Sequence, residues 1–411
     1  MSSAAADARA FIAAHEDDVI ALTRRLVAAP SPNLPGDETA PAAVVREALA
    51  AYGLPAPVEV ASAPHRPNLL VTIDTGRPGP KLGLCGHLDT KPVGDAAPLW
   101  KTDPFTPTTI GDRMYGLGTT DMKGACAAMV LAGAAFQRVA DQLTGSLTLI
   151  FTADEEYGSR LGAQYLVEQG ALDVDVIVLG EPSGVVADWE AIRIVSRGFC
   201  GFKIAVHGTQ MHSSISDVLP SVNAVEAAAR ILVGLRRELR LTYPPHPLCP
   251  QGPTINLGVK TLGGVGYGVY PGYAEFWVDI RTLPGMTKSQ MEIDVRAALA
   301  RLEPEFGGAT VEMEFSPAVG WLAPTEVAAD HPICTAMQDA CRAVLGVATP
   351  FSAFPGASDA WPFQGIGGIP TIAGFGPGLL PPAHGPNEYV SETAVRQAAH
   401  IYAEMALSYC R

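Results

Sequence analysis

Apolar residues recur at helical spacing near the start of the chain. Phe11, Ile12, Val19, Ile20, Leu22, Leu26 and Val27 predict one helix over residues 10–29, ended by Pro30-Ser31-Pro32. Short apolar runs then alternate with helical stretches. Residues 68–73, 82–86, 147–151 and 174–179 predict strands, and residues 124–139 an apolar helix. This alternation predicts an α/β layer with a mainly parallel sheet. The pattern changes near residue 190. Residues 192–206 predict one long strand, followed by a helix at 222–239, strands at 254–261 and 273–281, a helix at 288–302 and a strand at 309–315. That β-α-β-β-α-β order is the order of a ferredoxin-like α+β sandwich. Beyond Pro317 the α/β style returns, with a helix at 332–345, a strand at 370–375 and a helix at 392–409. The expected organisation is one domain of residues 1–190 and 317–411, with a second domain of residues 191–316 inserted into it.

Composition narrows the function. At 411 residues the chain exceeds one ordinary core, in keeping with two domains. Its 28 basic residues face 42 acidic ones, a net charge of −14, which argues against nucleic acid or an anionic membrane as partner. Carboxylates in excess also suit a divalent-cation site. Seven cysteines, odd in number and without a Cys-x-x-Cys pair, predict no disulfide framework and a reducing cytoplasm. The first residues read as the start of an amphipathic helix and not as a secretion signal. No apolar run approaches the ~20 residues of a membrane-spanning helix.

Five stretches place metal-ligand residue types just after apolar runs or in loops. Glu155-Glu156 follows Leu147-Thr148-Leu149-Ile150-Phe151. Adjacent carboxylates repel unless a cation sits beside them, so one suits a metal ligand and the other a general base; a solvated strand-to-helix turn is the alternative. His87 is followed by Asp89, an acid able to orient the imidazole. Asp121 precedes the helix at Gly124, where it is a ligand or an N-cap. Glu181 ends an apolar strand, and His384 lies in a loop, Pro382-Ala383-His384-Gly385-Pro386-Asn387-Glu388. Two histidines and three carboxylates are enough for a two-metal site with one bridging carboxylate.

The ordered set His87-x-Asp89, Asp121-Met-Lys-Gly, Glu155-Glu156, Gly180-Glu181-Pro182 and His384 resembles the acetylornithine deacetylase / succinyl-diaminopimelate desuccinylase family of di-zinc amidohydrolases, which also includes aminoacylases and carboxypeptidases. The resemblance covers nearly the whole chain. It implies a zinc-peptidase-type catalytic domain with an inserted lid that dimerises. It also implies two Zn2+ per chain, with Co2+ or Mn2+ as alternatives. One ion would be held by His87 and Glu181, the other by Glu156 and His384, with Asp121 bridging and a cis peptide between Asp121 and Met122. Glu155 would be the general base and Asp89 the partner of His87. His212, otherwise a surface histidine in a polar turn, matches the lid histidine that reaches a partner subunit's site. Arg281 matches a substrate-carboxylate clamp, the alternative being an ion pair with Asp279. The implied partners are a small-molecule amide and a second copy of the chain.

The chain departs from the pattern in two places. Gly268 stands where the family often has Asn. The stretch Gly356-Ala357-Ser358-Asp359-Ala360-Trp361 replaces a Gly-Thr-x-Asp-x-Arg pattern, with Gly356 and Ser358 at substrate-binding positions. Both departures fall where the substrate is selected, so amide hydrolysis is the expected reaction and the acyl group is left open. A metallo-dipeptidase or carboxypeptidase with the same centre is the alternative. A non-catalytic protein that keeps the fold would be expected to have lost ligands, and none of the ligand types is missing.

Overall fold

The computed structural model describes residues 3–317 and 319–411. Within these, the chain forms two compact units: one from the chain up to Ser196 with Thr325–Phe354 and Ser358–Arg411, the other from Arg197–Pro324 with Pro355–Ala357.

The first unit is built on a six-stranded sheet in the order Val58–Ala61, Pro67–Asp74, Ser146–Thr152, Lys81–His87, Val176–Leu179, Thr371–Ile372. The first two pairings are antiparallel and the last three parallel, so the sheet is mixed. Every residue of Ser146–Thr152 and of Val176–Leu179 is buried. This is why these strands read as unbroken apolar runs: layers cover both faces of a parallel sheet. The helix Gly124–Arg138 is buried from Gly124 through Phe136, in keeping with its small apolar residues all round. The helix Glu392–Tyr409, capped by Ser391 Oγ on the Ala394 N–H at 3.0 Å, packs against it. Parallel pairing sets His87 opposite Thr152, and Cys85 opposite Leu179. Three strands therefore finish at one edge of the sheet, the edge where ligand-binding groups collect in such folds.

The second unit runs Gly198–His207, Ala224–Glu238, Thr254–Gly263, Tyr273–Thr282, Lys288–Leu302, Thr310–Phe315. Its four strands are antiparallel in the order Thr254–Gly263, Tyr273–Thr282, Gly198–His207, Thr310–Phe315, a ferredoxin-like sandwich. Asn223 and Thr287 cap its two helices.

Four expectations are corrected. The stretch 192–206 is two strands, not one. Ile192–Ser196 pairs with Phe351–Phe354 and Thr325–Glu326 in the first unit, and Gly198–His207 belongs to the second. Both halves are largely buried, so hydrophobicity gives no break where the chain changes sheets. The junctions accordingly lie at residues 196 and 324, not at 190 and 317, and Pro355–Ala357 groups with the second unit. The helix expected over 10–29 is two, Ser3–Ala14 and Glu16–Val27, divided at His15, whose Nδ1 lies 2.7 Å from Phe11 O. The strand expected at 370–375 pairs with Val176–Leu179 over Thr371–Ile372, then turns to a bridge between Gly374 and Arg193, after which Gly376–Leu379 joins Pro182–Gly184. All seven cysteines are buried and unbridged. No helix among the described residues is long and apolar enough to cross a membrane.

Candidate metal centre

The ends of the three parallel strands deliver His87, then Asp89; Asp154, Glu155 and Glu156; and Glu181. Asp121 arrives from the turn before Gly124–Arg138, through a cis peptide to Met122. His384 arrives from the loop after Gly376–Leu379. Asp121 divides its carboxylate between the two imidazoles. Its Oδ1 lies 2.9 Å from His87 Nε2, and its Oδ2 lies 3.0 Å from His384 Nε2. Glu181 Oε1 is 3.7 Å from His87 Nε2, and Glu156 Oε2 is 3.1 Å from His384 Nε2. Two ligand clusters result, His87-Asp121-Glu181 and Asp121-Glu156-His384, with Asp121 common to both.

Asp89 does more than orient His87. The imidazole Nδ1 lies 3.0 Å from the Asp89 main-chain oxygen and 3.5 Å from its carboxylate. The carboxylate instead accepts the N–H groups of Glu155 at 3.2 Å and Glu156 at 3.1 Å, and the Asn33 amide at 2.9 Å. Asn33 also donates to Asp154 at 3.0 Å. Arg66 then closes the network, donating to Asn33 Oδ1 at 3.1 Å and to Glu38 at 2.7 Å. The acidic doublet is thus held by its own backbone, leaving both glutamate side chains for other partners.

The charge balance is lopsided. Burial pushes Glu181 well above the usual carboxylate range, and the Asp121 charge pushes it further. Glu155 rises likewise, from burial first and Glu181 second. Burial works against charge on His384, but hydrogen bonds to Asp121 and Glu156 outweigh it and push the imidazole up to about 11. Burial likewise opposes charge on Asp121, yet its bonds to His384 and His87 pull its carboxyl far down. Oxygen and imidazole donors in this number, with more negative charge than the side chains neutralise, fit a pair of divalent cations of the zinc, cobalt or manganese kind.

Four groups that the motifs leave without a role complete the centre, Lys91 half-buried and the other three buried. Lys91 donates through Nζ to Glu156 Oε2 at 3.1 Å and through its main-chain N–H to Oε1 at 3.1 Å. Glu388 accepts the N–H groups of Thr120 at 3.0 Å and Asp121 at 3.2 Å. Asp359 receives the Thr152 hydroxyl at 2.8 Å, and burial pushes it up to about 6. Lys123 is buried, its ammonium on Ala29 O at 2.8 Å, and burial brings it down to about 8.

The other residues singled out in the sequence lie elsewhere. His212, in the second unit, is exposed, with Nδ1 accepting from Ser214 N at 3.2 Å and 2.8 Å from Ser214 Oγ. Arg281 in the same unit holds Asp279 through two bonds of 3.1 Å and stacks over Phe199. Its guanidinium therefore has the local ion pair that was its alternative reading. Ser358 is buried, and Gly356 lies in the short segment grouped with the second unit.

The model of peptidase family M20/M25/M40 matches residues 83–408, which include every residue of both clusters. The chain belongs to that family. Acetylornithine deacetylase of Pectobacterium atrosepticum is 31% identical over 361 residues, covering 86% of this chain and 87% of that protein. The corresponding deacetylase of Klebsiella pneumoniae is 32% identical over 363 residues, with the same coverage. Among solved structures, the dipeptidase Dug1p of Saccharomyces cerevisiae superposes with a TM-score of 0.78 at 16% identity, covering 100% of this chain and 99% of that one. A Bacillus subtilis protein described as a dinuclear metal binding peptidase gives 0.69 at 19% identity, covering 96% and 98%. This M20 chain is a hydrolase of linear amide bonds with the family's α/β catalytic and lid architecture.

Proposed function

We propose that this chain is a two-metal deacylase that frees an amino acid or related small amine from its N-acyl form. The observation that carries the reading is the split carboxylate of Asp121, one oxygen toward each histidine cluster. His87, Asp121 and Glu181 would hold one cation, and Asp121, Glu156 and His384 the other, with zinc the metal favoured by this donor set. Bound there, two cations polarise the amide carbonyl and make a water acidic enough to ionise near neutral pH.

Glu155 takes the water's proton on a carboxylate oxygen and passes it to the departing amine, which is a poor leaving group until protonated. Its raised proton affinity suits a group that must hold a proton and then release it. Asp89 positions this base by gripping its main-chain N–H. His212, with Nδ1 already engaged by Ser214, offers Nε2 to the substrate carbonyl of a partner subunit in a cytoplasmic homodimer formed through the second unit.

The test is an assay of the purified chain, with metal content counted, against N-acetyl and N-succinyl amino acids and dipeptides. Metal-dependent release from the acyl series supports the proposal. Turnover confined to dipeptides would make the chain a dipeptidase with the same centre, and no metal-dependent amidase activity on any of them would sink it.

A further inference from the structure

The two clusters treat their glutamates differently. Glu181 has His87 as its nearest cationic neighbour, at 3.7 Å. Glu156 is already engaged on both oxygens. Oε1 takes the Lys91 main-chain N–H at 3.1 Å, and Oε2 lies 3.1 Å from Lys91 Nζ and 3.1 Å from His384 Nε2. Lys91 Nζ also donates to the Glu156 main-chain oxygen. The ammonium therefore sits on the oxygen that faces His384, the oxygen a cation in that cluster needs. Asp89 accepts the Glu156 main-chain N–H at 3.1 Å, so the backbone that carries this carboxylate is fixed beside Lys91.

We infer that Lys91 makes the two cation positions unequal: the His87-Asp121-Glu181 position fills first and tightly, and the Asp121-Glu156-His384 position takes its ion weakly, against a resident positive charge. The inference rests on the two-metal reading above. A divalent ion entering the second cluster must displace an existing ion pair and then sit a few ångströms from an ammonium. Over so short a distance solvent screens that repulsion only in part, although Lys91 and His384 both reach the surface. The first cluster carries no such competitor. Asp121 is common to both, so an ion already held through Oδ1 leaves less negative charge for the second. At scarce metal the chain would accordingly be half-loaded, and Lys91 would set how much metal brings it to full loading.

The experiment uses the full-length chain stripped with a chelator and titrated with Zn2+ by calorimetry, with bound zinc counted by mass spectrometry. The expected result is two events differing at least about tenfold in affinity. Lys91→Met, which keeps the length and removes the charge, should tighten the weaker event at least about tenfold and leave the tighter one within about threefold. Lys91→Arg should keep the two events apart. Glu181→Gln should abolish the tight event, and Glu156→Gln the weak one.

Equal affinities in the unaltered chain would overturn the inference, as would a second event in Lys91→Met that stays the same or weakens. That last result would mean that the lysine merely orders Glu156. Loss of the tight event in Glu156→Gln would reverse the order of filling and also overturn it. A folded chain that takes up no zinc would instead remove the two-metal reading itself.

Discussion

In the first unit, His87, Asp121, Glu156, Glu181 and His384 come from five separate stretches of chain and meet within a few ångströms. In the second, His212 and Arg281 find their partners two residues away, in Ser214 and Asp279. The same residue types thus do different things according to what holds them. Parallel strand ends gather distant side chains at one edge and bury them together, where their charges cannot all be satisfied. An antiparallel sheet and its turns let a side chain settle with a near neighbour, so its charge is met locally. Of these two residues, His212 keeps a ring nitrogen, Nε2, that Ser214 does not engage.

The comparison is broken most severely at the residue common to both clusters. Asp121→Ala should release both cations and reduce hydrolysis by roughly 10⁴-fold or more, with bound metal counted alongside the rate. A variant that still binds metal fully would show that convergence on Asp121 is not what holds the ions. Glu155→Gln should lower kcat by about 10²–10⁴-fold while leaving metal content intact. Unaltered turnover in that variant would take Glu155 off the proton's route.

The next effect asks whether the second unit belongs to the chemistry at all. His212→Ala should lower kcat about 10²-fold without loss of metal. Mixing it with Glu155→Gln chains should restore part of the activity if the histidine serves a partner subunit. Full activity in His212→Ala alone would leave the second unit without a catalytic residue.

The smallest effect probes the charge stored beneath the centre. Burial, then the Asp89 charge, pushes Glu38 up to about 7, although Arg66 pulls the other way. A carboxyl whose folded value exceeds its unfolded one favours the fold below the unfolded value and loses that contribution as pH rises through about 7. Between pH 5 and pH 8 the unaltered chain should therefore lose about 1–3 kcal/mol more stability than Glu38→Gln, read from urea melts. Equal slopes would mean that Arg66 keeps Glu38 ionised throughout.

Much of the centre is legible because His87, Glu156 and Glu181 follow apolar runs, and a buried strand end in an α/β layer is where a polar residue has a reason to be; Asp121 and His384, in a turn and a loop, are found through the motifs alone. The centre's supports are not legible. Asn33, Arg66 and Glu38 sit in irregular stretches without periodicity, and they matter only because folding brings them under Asp89. Lys91 reads as an ordinary turn lysine, although its position two residues past Asp89 was a usable signal. Glu388 stood in the same motif as His384, but its work on the Asp121 backbone depends on a contact across 267 residues. The stretch 192–206 shows the converse. Its apolar pattern predicts β-structure, which the chain has, yet the pattern carries no mark of the change of sheet at Arg197.

Glu388 has one more consequence. Its carboxylate ties the His384 loop to the main chain at Asp121, and Thr120 Oγ1 ties the same loop again through Leu379, accepting its N–H at 3.0 Å and donating to its oxygen at 3.1 Å. The His384 loop is thus anchored by bonds that use neither imidazole, and its place is set from outside the two clusters. The oxygen and imidazole donors it helps to gather are of a kind that suits several divalent ions.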